Sequence, residues 1–426
     1  MNIQKLFDIV AVICAVTVMT CCGGGPPVPA SAPSLEKYVA SSETPTVVSS
    51  VKPVYNIYVE NSGSMYGYVK GVTEFEQSVY SYLSDIKISD ICSQMNLYYI
   101  NSVMHKQPAD VEDFIYKLEP DSFRRRGGNM ATTDISNIIG SIIKPQQNDT
   151  VSILISDFVF SPGSGVNADE YLVNQQIGIK NHFALKLKSD PNLAMMIYQL
   201  SSKFEGKYYD RNNTPYNIKH TRPFYMMIIG DSHHLKTLSD KVPKDKIRGS
   251  GVINSYSLSR TASNVDYGIL VMPRIGSYKP DPTSPLTSIK GAKVDKKNPN
   301  TKFMLSIGAD FSDLLLDDEY LMDPANYKIS NRSFTISVEK ANGNTKYTHI
   351  IKLSLNPQLA NLYKGPLSIE LLKSPSAWSE DVTNPDDVGV ENITTDKTYG
   401  FKYLVDGVYD AYSSETAYMK FNINIK

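Results

Sequence analysis

Val54-Tyr55-Asn56-Ile57-Tyr58-Val59-Glu60-Asn61-Ser62-Gly63-Ser64-Met65-Tyr66 is the stretch that decides the fold of this chain. Its first half is a mainly apolar, strand-like run that ends at an acid, Glu60, and two serines follow at alternate positions. A buried parallel strand delivers oxygen ligands in this way to the carboxyl edge of a sheet, where open α/β folds bind ligands and ions. The stretch therefore predicts an α/β fold with a polar site at the end of its first strand.

Strand-like and helix-like segments alternate from this stretch to about Lys246. Apolar residues recur at helical spacing in several segments, and a longer helix is expected from Ala168 to Leu187. Short apolar runs predict further strands at Leu97–Ile100, Val151–Ile155, Ala194–Leu200 and Phe224–Ile229. Helical spacing is seen at Phe75, Val79, Leu83 and Ile86, at Val111, Phe114, Ile115 and Leu118, and at Ile135, Ile138, Ile139 and Ile142. Because strands that alternate with helices imply right-handed crossovers, we expect a doubly wound, mostly parallel sheet.

Further polar residues lie where this sheet would place them at the same edge. Thr133 comes just before the isoleucine-patterned helix, and Asp157 follows the strand-like run that ends at Ile155. Three neighbouring loops would then offer two carboxylates and three hydroxyls. All of these are hard oxygen donors, which suit Mg²⁺, Mn²⁺ or Ca²⁺ and not a soft metal. The sequence thus predicts a divalent-metal site.

The order of these elements resembles the metal-ion-dependent adhesion site of von Willebrand factor A-type domains, over roughly residues 53–240. Ser62 and Ser64 match the two serines of that motif, Thr133 matches its threonine, and Asp157 matches its later aspartate. Glu60 stands where the family has an aspartate, so it matches in charge alone. The resemblance implies that these residues hold a divalent cation and that an acidic group of a protein partner completes its coordination.

Simpler readings of the same residues stay open. The two serines also suit a turn around Gly63. Thr133 or Asp134 is a natural helix N-cap. Asp157 also suits a turn at the end of a strand.

Two charged clusters elsewhere in this region need separate interpretations. Arg124-Arg125-Arg126 either forms a solvated charge run or lies at the rim of the metal site and favours an acidic partner, since guanidinium groups pair with carboxylates. In the stretch 230–235, Asp231 or Ser232 is expected to cap a helix. The adjacent histidines, His233 and His234, are therefore interpreted as part of that helix and not as a metal site.

The N-terminus has the features of a targeting segment. The apolar run Ile9–Met19 is shorter than the ~20 residues that a transmembrane helix needs. It leads into Val18-Met19-Thr20-Cys21, which resembles a bacterial lipobox, in which the cysteine is acylated and becomes the mature N-terminus. Because Thr20 replaces the usual smaller residue, either Cys21 or Cys22 is the candidate for lipidation. An ordinary cleaved secretory signal is the alternative.

Composition and pattern divide the 426 residues into several regions. The net charge of −1 gives no indication of nucleic-acid binding. After Lys246 the segments become short and strand-like, bounded by Pro, Asn, Gly and Asp, which predicts a mainly β, sandwich-like C-terminal domain with a final helix and strand. The predicted regions are a signal peptide (1–21), a flexible tether (22–52), a von Willebrand factor A-like α/β domain (53–245), a connecting segment (246–300) and the β-sandwich-like domain (301–426).

Three functions follow from these expectations. The leading hypothesis is a non-enzymatic lipoprotein of the bacterial cell envelope, anchored in the outer membrane, whose α/β domain binds a protein partner through a divalent ion. The second is a metal-free scaffold subunit of an envelope complex. The third is metal-assisted phosphoester hydrolysis, for which the sequence shows no base paired with Ser64 and no histidine near these loops.

Overall fold

The computed structural model describes residues 51–108, 110–124, 134–163, 165–262, 265–298, 300–343, 345–356, 358–359, 361–394 and 396–426. The strands are β1 (Val54–Glu60), β2 (Gln94–Ile100), β3 (Met104–Gln107), β4 (Thr150–Ser156), β5 (Leu193–Tyr209), β6 (Pro215–Asp231), β7 (Asn254–Leu258), β8 (Tyr267–Ile275), β9 (Ser277–Pro280), β10 (Ser288–Lys293), β11 (Met304–Ala309), β12 (Tyr327–Ile329), β13 (Phe334–Lys340), β14 (His349–Leu355), β15 (Gly365–Leu372), β16 (Thr383–Asn384), β17 (Thr398–Tyr399) and β18 (Ala417–Ile425). The α-helices are α1 (Glu74–Ile88), α2 (Val111–Tyr116), α3 (Pro120–Arg124), α4 (Ile135–Ile143), α5 (Ala168–Ser189), α6 (Ser232–Lys241), α7 (Asp318–Met322), α8 (Ala377–Asp381), α9 (Val390–Ile393) and α10 (Phe401–Tyr412), and shorter 3-10 helices span Gly63–Val69, Lys244–Lys246 and Pro324–Asn326.

A seven-stranded mixed sheet carries the first half of the fold, in the order β3-β2-β1-β4-β6-β5-β7. The pairs β1–β2 and β1–β4 are parallel, as expected for strands joined by helical crossovers. The other pairs in this sheet are antiparallel. The α/β class is therefore confirmed, and the parallel part of the sheet is limited to β2, β1 and β4.

The antiparallel half of this sheet comes from a long hairpin, β5–β6. The two short runs Ala194–Leu200 and Phe224–Ile229 are the inner parts of these strands, which pair with each other from Leu193↔Asp231 to Tyr209↔Pro215. A tight connection between the strands requires them to be antiparallel. Sequence reasoning missed the outer part because its residues alternate between buried and exposed and include several lysines.

The helices that flank this sheet follow the predicted spacing. Every residue of the first and third predicted helical patterns is buried, in α1 and α4 respectively. Capping side chains fix the helix starts. The Thr73 side chain accepts a hydrogen bond from the Glu76 N–H, and Asp134 accepts one from the Asn137 N–H at 2.9 Å. Asp134 is thus the N-cap of α4.

The second half of the chain builds antiparallel sheets. A four-stranded sheet has the order β13-β14-β11-β8, and a five-stranded sheet has the order β12-β15-β18-β10-β9 with one parallel pair, β10–β18. Tyr267 in β8 packs on Phe421 in β18 with ring centroids 4.5 Å apart, which joins the two sheets. The segment 246–300, expected to connect two domains, contributes strands β7 to β10 to three sheets. The sequence did not predict β9 and β10, because these short strands contain lysines and show little apolar pattern.

The last helix returns to the α/β part of the fold. Helix α10 packs against α5, where Gly407 lies so close to Gln176 that an added Cβ would be 2.7 Å from the Gln176 carbonyl oxygen. At the start of α10, Phe401 stacks on Tyr225 of β6 at 4.1 Å. No helix among the described residues is both long and apolar enough to cross a membrane.

The outer part of the β5–β6 hairpin holds the 3-10 helix Gly63–Val69 that carries Ser64. A Cβ added at Gly67 would lie 2.4 Å from the ring of Phe204, and one added at Gly206 would lie 2.9 Å from the Gly67 Cα. Backbone and ring thus meet where only glycine fits.

We expect Gly67→Ala to lower the free energy of unfolding by about 1–3 kcal/mol, because the new methyl group overlaps the Phe204 ring. Urea denaturation measures the change. The control is the same substitution in a Phe204→Ala background, where the ring is absent and most of the extra cost should disappear. Equal costs in the two backgrounds would contradict the steric explanation.

Candidate functional site

The candidate site lies where β1 and β4 end side by side. The two strands pair in parallel up to Val59↔Ile155, so Glu60 and Ser156 leave the sheet at the same edge. Asp157 follows directly. The prediction that these loops meet at one edge is confirmed for the β1 and β4 ends.

Glu60 is fixed by a hydroxyl from the neighbouring strand. The Ser156 hydroxyl donates a hydrogen bond to Glu60 Oε2, and Ser156 Oγ accepts one from the Phe158 N–H at 2.7 Å. Because Ser156 Oγ accepts from the amide, its own proton is directed towards Glu60. Glu60 and Ser156 are both 1 % exposed. Ser156 was not among the predicted site residues, although it stands directly before Asp157.

The serine loop is held against the end of β2. Asn101 Nδ2 donates to Asn61 Oδ1 at 3.1 Å, and the Asn61 N–H donates to the Ile100 carbonyl at 3.0 Å. The Ser62 and Ser64 hydroxyl oxygens then lie 3.0 Å apart. Ser62 is buried and Ser64 is half-buried, so the pair reaches the surface on the Ser64 side.

Asp157 is a buried carboxylate that is only partly satisfied. Its Oδ1 accepts a hydrogen bond from the Val159 N–H at 3.3 Å, whereas Oδ2 is buried and has no hydrogen-bond partner among the described residues. Burial raises the pKa of Asp157, although the Ser64 hydroxyl, the Val159 amide and the positive charge of Arg222 each lower it.

The turn after Asp157 is strained. Phe158 has φ of +48°, in the left-handed region that a bulky residue rarely occupies, and its side chain is fully buried. Such conformations cost on the order of 1–3 kcal/mol and persist where the surroundings hold them. Here the Phe158 N–H is held by Ser156 Oγ and the ring packs near Tyr225, with centroids 6.0 Å apart.

A buried arginine lies behind this turn. Arg222 of β6 is 1 % exposed, and its guanidinium lies 4.2 Å above the ring of Tyr208. Its Nη1 donates to the Ile393 carbonyl and its Nη2 to the Lys397 carbonyl at 3.5 Å. Burial alone would lower its pKa, but the Tyr208 and Tyr68 side chains and two carboxylates raise it. Arg222 was missed because a single arginine in an apolar strand gives no motif.

A second buried carboxylate, Asp387, also raises the pKa of Arg222 through its negative charge. Tyr208 donates its hydroxyl proton to Asp387, whose oxygens lie 2.7 and 2.9 Å away, and Asn384 Nδ2 donates to Asp387 Oδ1 at 3.2 Å. Burial raises the pKa of Asp387 to about 7, while Tyr208 and Arg222 act in the opposite direction. Asp387 thus contacts Tyr208 of β5 from the C-terminal part of the chain, 179 residues further along.

The predicted site residues have different outcomes. The structure brings Glu60, Ser62, Ser64 and Asp157 into one strand-end cluster. Thr133, two of the three arginines and both candidate lipidation cysteines lie outside the described residues, and of Arg124 only the backbone, at the end of α3, is described. The predicted site residues that lie wholly outside the described ranges are Cys21, Cys22, Arg125, Arg126 and Thr133.

The histidine pair is part of a capped helix, as expected. Asp231 Oδ1 accepts a hydrogen bond from the His233 N–H at 2.9 Å at the start of α6. Leu235 and Leu238 are buried on the inner face of that helix. The pattern at 230–235 is therefore explained by helix capping.

The strand-end cluster has the chemistry that a divalent cation needs. Two ligands of an octahedral Mg²⁺ at 2.0–2.1 Å lie about 3 Å apart, and the Ser62 and Ser64 oxygens already have this separation. Asp157 Oδ2 is a buried acceptor that lacks a donor. Within the described part of the chain no three acidic, histidine or cysteine side chains converge. A cation here would therefore depend on hydroxyls and two carboxylates.

Comparisons with known proteins found no relative of this chain. No family model matches the sequence, no curated protein matches it, and no solved structure matches it. The function must be argued from the residues of the cluster and their surroundings.

We expect Ser156→Ala to lower the free energy of unfolding by about 2–3 kcal/mol, because it leaves a buried carboxylate and a buried N–H without their shared partner. Ser152→Ala is the matched control on the same strand. Ser152 is equally buried and donates one neutral hydrogen bond, to Gln146 Oε1 at 2.6 Å, so its loss should cost about 1 kcal/mol. Urea denaturation of both variants checks this order, and a larger loss for Ser152→Ala would contradict it.

Asp387 makes the stability of the protein depend on pH. Its pKa of about 7 in the folded protein exceeds the ~3.9 of an aspartate in an unfolded chain, so the folded state favours the protonated acid. This contribution is complete below the pKa of the unfolded aspartate and is lost as the pH rises through about 7. Relative to Asp387→Asn, we expect the free energy of unfolding of the wild type to fall by about 1 kcal/mol between pH 6 and pH 8. Denaturation curves at both pH values measure it, and a constant difference would refute it.

Proposed function

We propose that Glu60, Ser62, Ser64 and Asp157, together with Thr133, bind a divalent cation such as Mg²⁺, Mn²⁺ or Ca²⁺, and that this site binds an acidic group of a protein partner. The observation that carries the proposal is the buried Asp157 Oδ2, which has no hydrogen-bond partner among the described residues and belongs to a carboxylate whose pKa the Ser64 hydroxyl lowers. A buried carboxylate oxygen without a donor is costly. A cation removes that cost.

Each residue of the cluster has a distinct part in this proposal. Asp157 supplies a charged ligand from the β4 end. Ser62 and Ser64 supply neutral oxygens, and the half-buried Ser64 lies on the accessible side. Glu60, held by Ser156, supplies the second negative charge beside them. When bound, the cation offers a positive charge that a partner's carboxylate can neutralise.

The fold around the cluster supports a domain of the von Willebrand factor A type. The acid-x-Ser-x-Ser segment follows β1, Asp157 follows β4, and these two strands pair in parallel at the centre of a mixed sheet. What supports the proposal is thus the arrangement of these two strand ends. Under this proposal, the Ser156 hydroxyl holds the longer side chain of Glu60, which stands where the family has an aspartate.

We further propose that the chain is an envelope lipoprotein anchored in the outer membrane through Cys21 or Cys22. The support is the lipobox-like sequence Val18–Cys21 and the Pro-, Ser-, Ala- and Gly-rich residues that follow it. This composition is typical of linkers.

Calorimetry of the full-length protein in detergent tests the cation site. We expect one Mg²⁺ or Mn²⁺ ion to bind per protein molecule. Asp157→Ala should weaken that binding by at least about tenfold, because it removes a charged ligand. Asp149→Ala is the matched control, since Asp149 lies in the turn before β4, at the opposite end of the strand. No heat of binding in the wild type, or equal binding in Asp157→Ala, would refute the proposal. Partner capture that survives a chelator would indicate a metal-free scaffold.

A further inference from the structure

A cavity of about 380 Å³ lies between the seven-stranded sheet and the β-rich second half of the chain. Its floor includes Tyr198 of β5 and Ser255 of β7, which are cross-strand partners. One wall comes from α6 and the 3-10 helix after it, and the other from the segment 311–321 and the start of β14. None of the four described residues of the strand-end cluster lines this cavity. Small-molecule sites are typically clefts of about 300–1,000 Å³, often at the junction of two structural parts.

Two polar side chains in the lining are almost fully buried and lack a strong hydrogen-bond partner. Tyr198 is 3 % exposed, and its hydroxyl lies 3.7 Å from Met196 Sδ, a weak thioether acceptor. His349 is 4 % exposed, and its Nε2 has no hydrogen-bond partner among the described residues. Asp318 Oδ1 lies 3.5 Å from Nε2, beyond the usual ~2.7–3.2 Å of a hydrogen bond. Because buried polar groups are normally hydrogen-bonded, these two residues indicate that the cavity holds their partner.

The local hydrogen bonds of His349 define which group that partner must offer. Burial lowers the pKa of His349, so the ring is neutral at about pH 7. Its Nδ1 lies 3.0 Å from Thr348 Oγ1, which accepts a hydrogen bond from the Phe311 N–H at 2.8 Å. The Thr348 proton is directed to Nδ1, since its other acceptor, the Ala309 carbonyl, is 3.4 Å away. Nε2 then carries the ring hydrogen, and both Nε2–H and the Tyr198 O–H are donors that need an acceptor.

The main charged side chains of the lining are already paired with one another. Lys244 Nζ lies 2.6 Å from Asp317 Oδ1 and 2.5 Å from Ser255 Oγ, and Ser255 donates to Asp317 Oδ2 at 2.5 Å. This ion pair joins the two walls across the floor. Lys236 and Asp240 form a second pair within α6. A charged ligand would have to compete with these pairs, whereas an uncharged ligand leaves them intact.

The two other carboxylates of the lining do not change this balance. Asp318 forms an ion pair with Lys340, and Asp245 is exposed. An exposed carboxylate is hydrated and contributes little binding energy on its own. The lining as a whole therefore favours a ligand without net charge.

Hydroxyl groups and apolar side chains make up most of the remaining lining. The hydroxyls belong to Ser239, Ser255, Ser257, Ser312 and Thr348. The Phe311 ring and the leucines at 314–316 supply apolar surface. Since a hydroxyl both donates and accepts hydrogen bonds, this lining suits a ligand that has several hydroxyls around an apolar ring face.

We propose that this cavity binds a small uncharged polyhydroxylated ligand, a free monosaccharide, whose oxygens accept hydrogen bonds from Tyr198 and His349. The inference goes beyond the proposed cation site and does not depend on it. The serine hydroxyls orient the other hydroxyls of the sugar, and the apolar side chains contact its ring. The Lys244–Asp317 pair holds the two walls together around the ligand.

Ligand-observed NMR titrations of the full-length protein, in a detergent without a sugar head group, test the inference. The probes are D-glucose, D-galactose, D-mannose and N-acetyl-D-glucosamine. We expect at least one of them to bind with a dissociation constant in the millimolar range or below. Tyr198→Phe removes only the hydroxyl and should weaken that binding by roughly three- to tenfold. Tyr82→Phe is the matched control, since the Tyr82 hydroxyl is also buried without a described partner but does not line the cavity.

A second variant and two pairs of analogues sharpen the test. His349→Phe keeps a ring but removes the Nε2–H donor, so it should weaken binding by a similar factor. Absence of binding for all four sugars, or equal binding by the wild type and both variants, would overturn the inference. Tighter binding of D-glucuronate or D-glucosamine than of D-glucose would exclude an uncharged ligand. Tighter binding of a methyl glycoside than of its free sugar would exclude a free monosaccharide and indicate the end of a glycan.

The cation site and this cavity fail independently. Asp157→Ala should bind the sugar as the wild type does, with or without a chelator, because Asp157 does not line the cavity. Loss of sugar binding in Asp157→Ala with the fold intact would contradict the placement of the sugar in this cavity. A protein that binds the sugar but no Mg²⁺ would refute the proposed function alone.

Discussion

The parallel pairing of β1 with β4 is the constraint on which the rest of the site depends. Because the two strands end together, an acid on one strand and a hydroxyl on the other meet as Glu60 and Ser156. The strained turn at Phe158 follows directly, and beside it Asp157 is buried with one oxygen that has no partner among the described residues. A shift in the register of this pair by one residue would turn each side chain to the opposite face and separate the cluster.

Burial of charge explains the features that surround this pair. A carboxylate removed from water is tolerated when opposite charges or hydrogen-bond donors compensate for the lost hydration. Ser156 compensates Glu60, Tyr208 compensates Asp387, and the charges of Asp157 and Asp387 raise the pKa of the buried Arg222. The tyrosines and arginine of the hairpin thus form a polar interior behind the strand ends. The fold tolerates that interior because its members satisfy one another in most, though not all, of their hydrogen bonds.

Local pattern could predict much of this fold, and the reasons are visible in particular segments. The runs at Val54–Glu60 and Thr150–Ser156 are mainly apolar, so the sequence predicted a buried central strand for each. The helix α4 shows its buried face directly in its isoleucines. The outer hairpin gave no such signal, since its exposed lysines interrupt the apolar pattern. The short strands β9 and β10 were likewise not predicted, because they lie in a stretch rich in lysine and proline.

The site residues that the sequence predicted, such as Glu60 and Asp157, are those that directly follow predicted strands. Residues that act from a distance could not be found in this way. Arg222 and Asp387 carry no motif, and their importance appears only when the sheet and the C-terminal segment bring them together. The acceptors of Arg222 have a further consequence. Residues 222, 393 and 397 must all be present before the guanidinium has its carbonyl acceptors, so its surroundings are completed by contacts between residues 171 and 175 positions apart. Long-range contacts of this kind form late and slowly in folding. In a protein made from its N-terminus, Arg222 would lack these two acceptors until residue 397 had been synthesised.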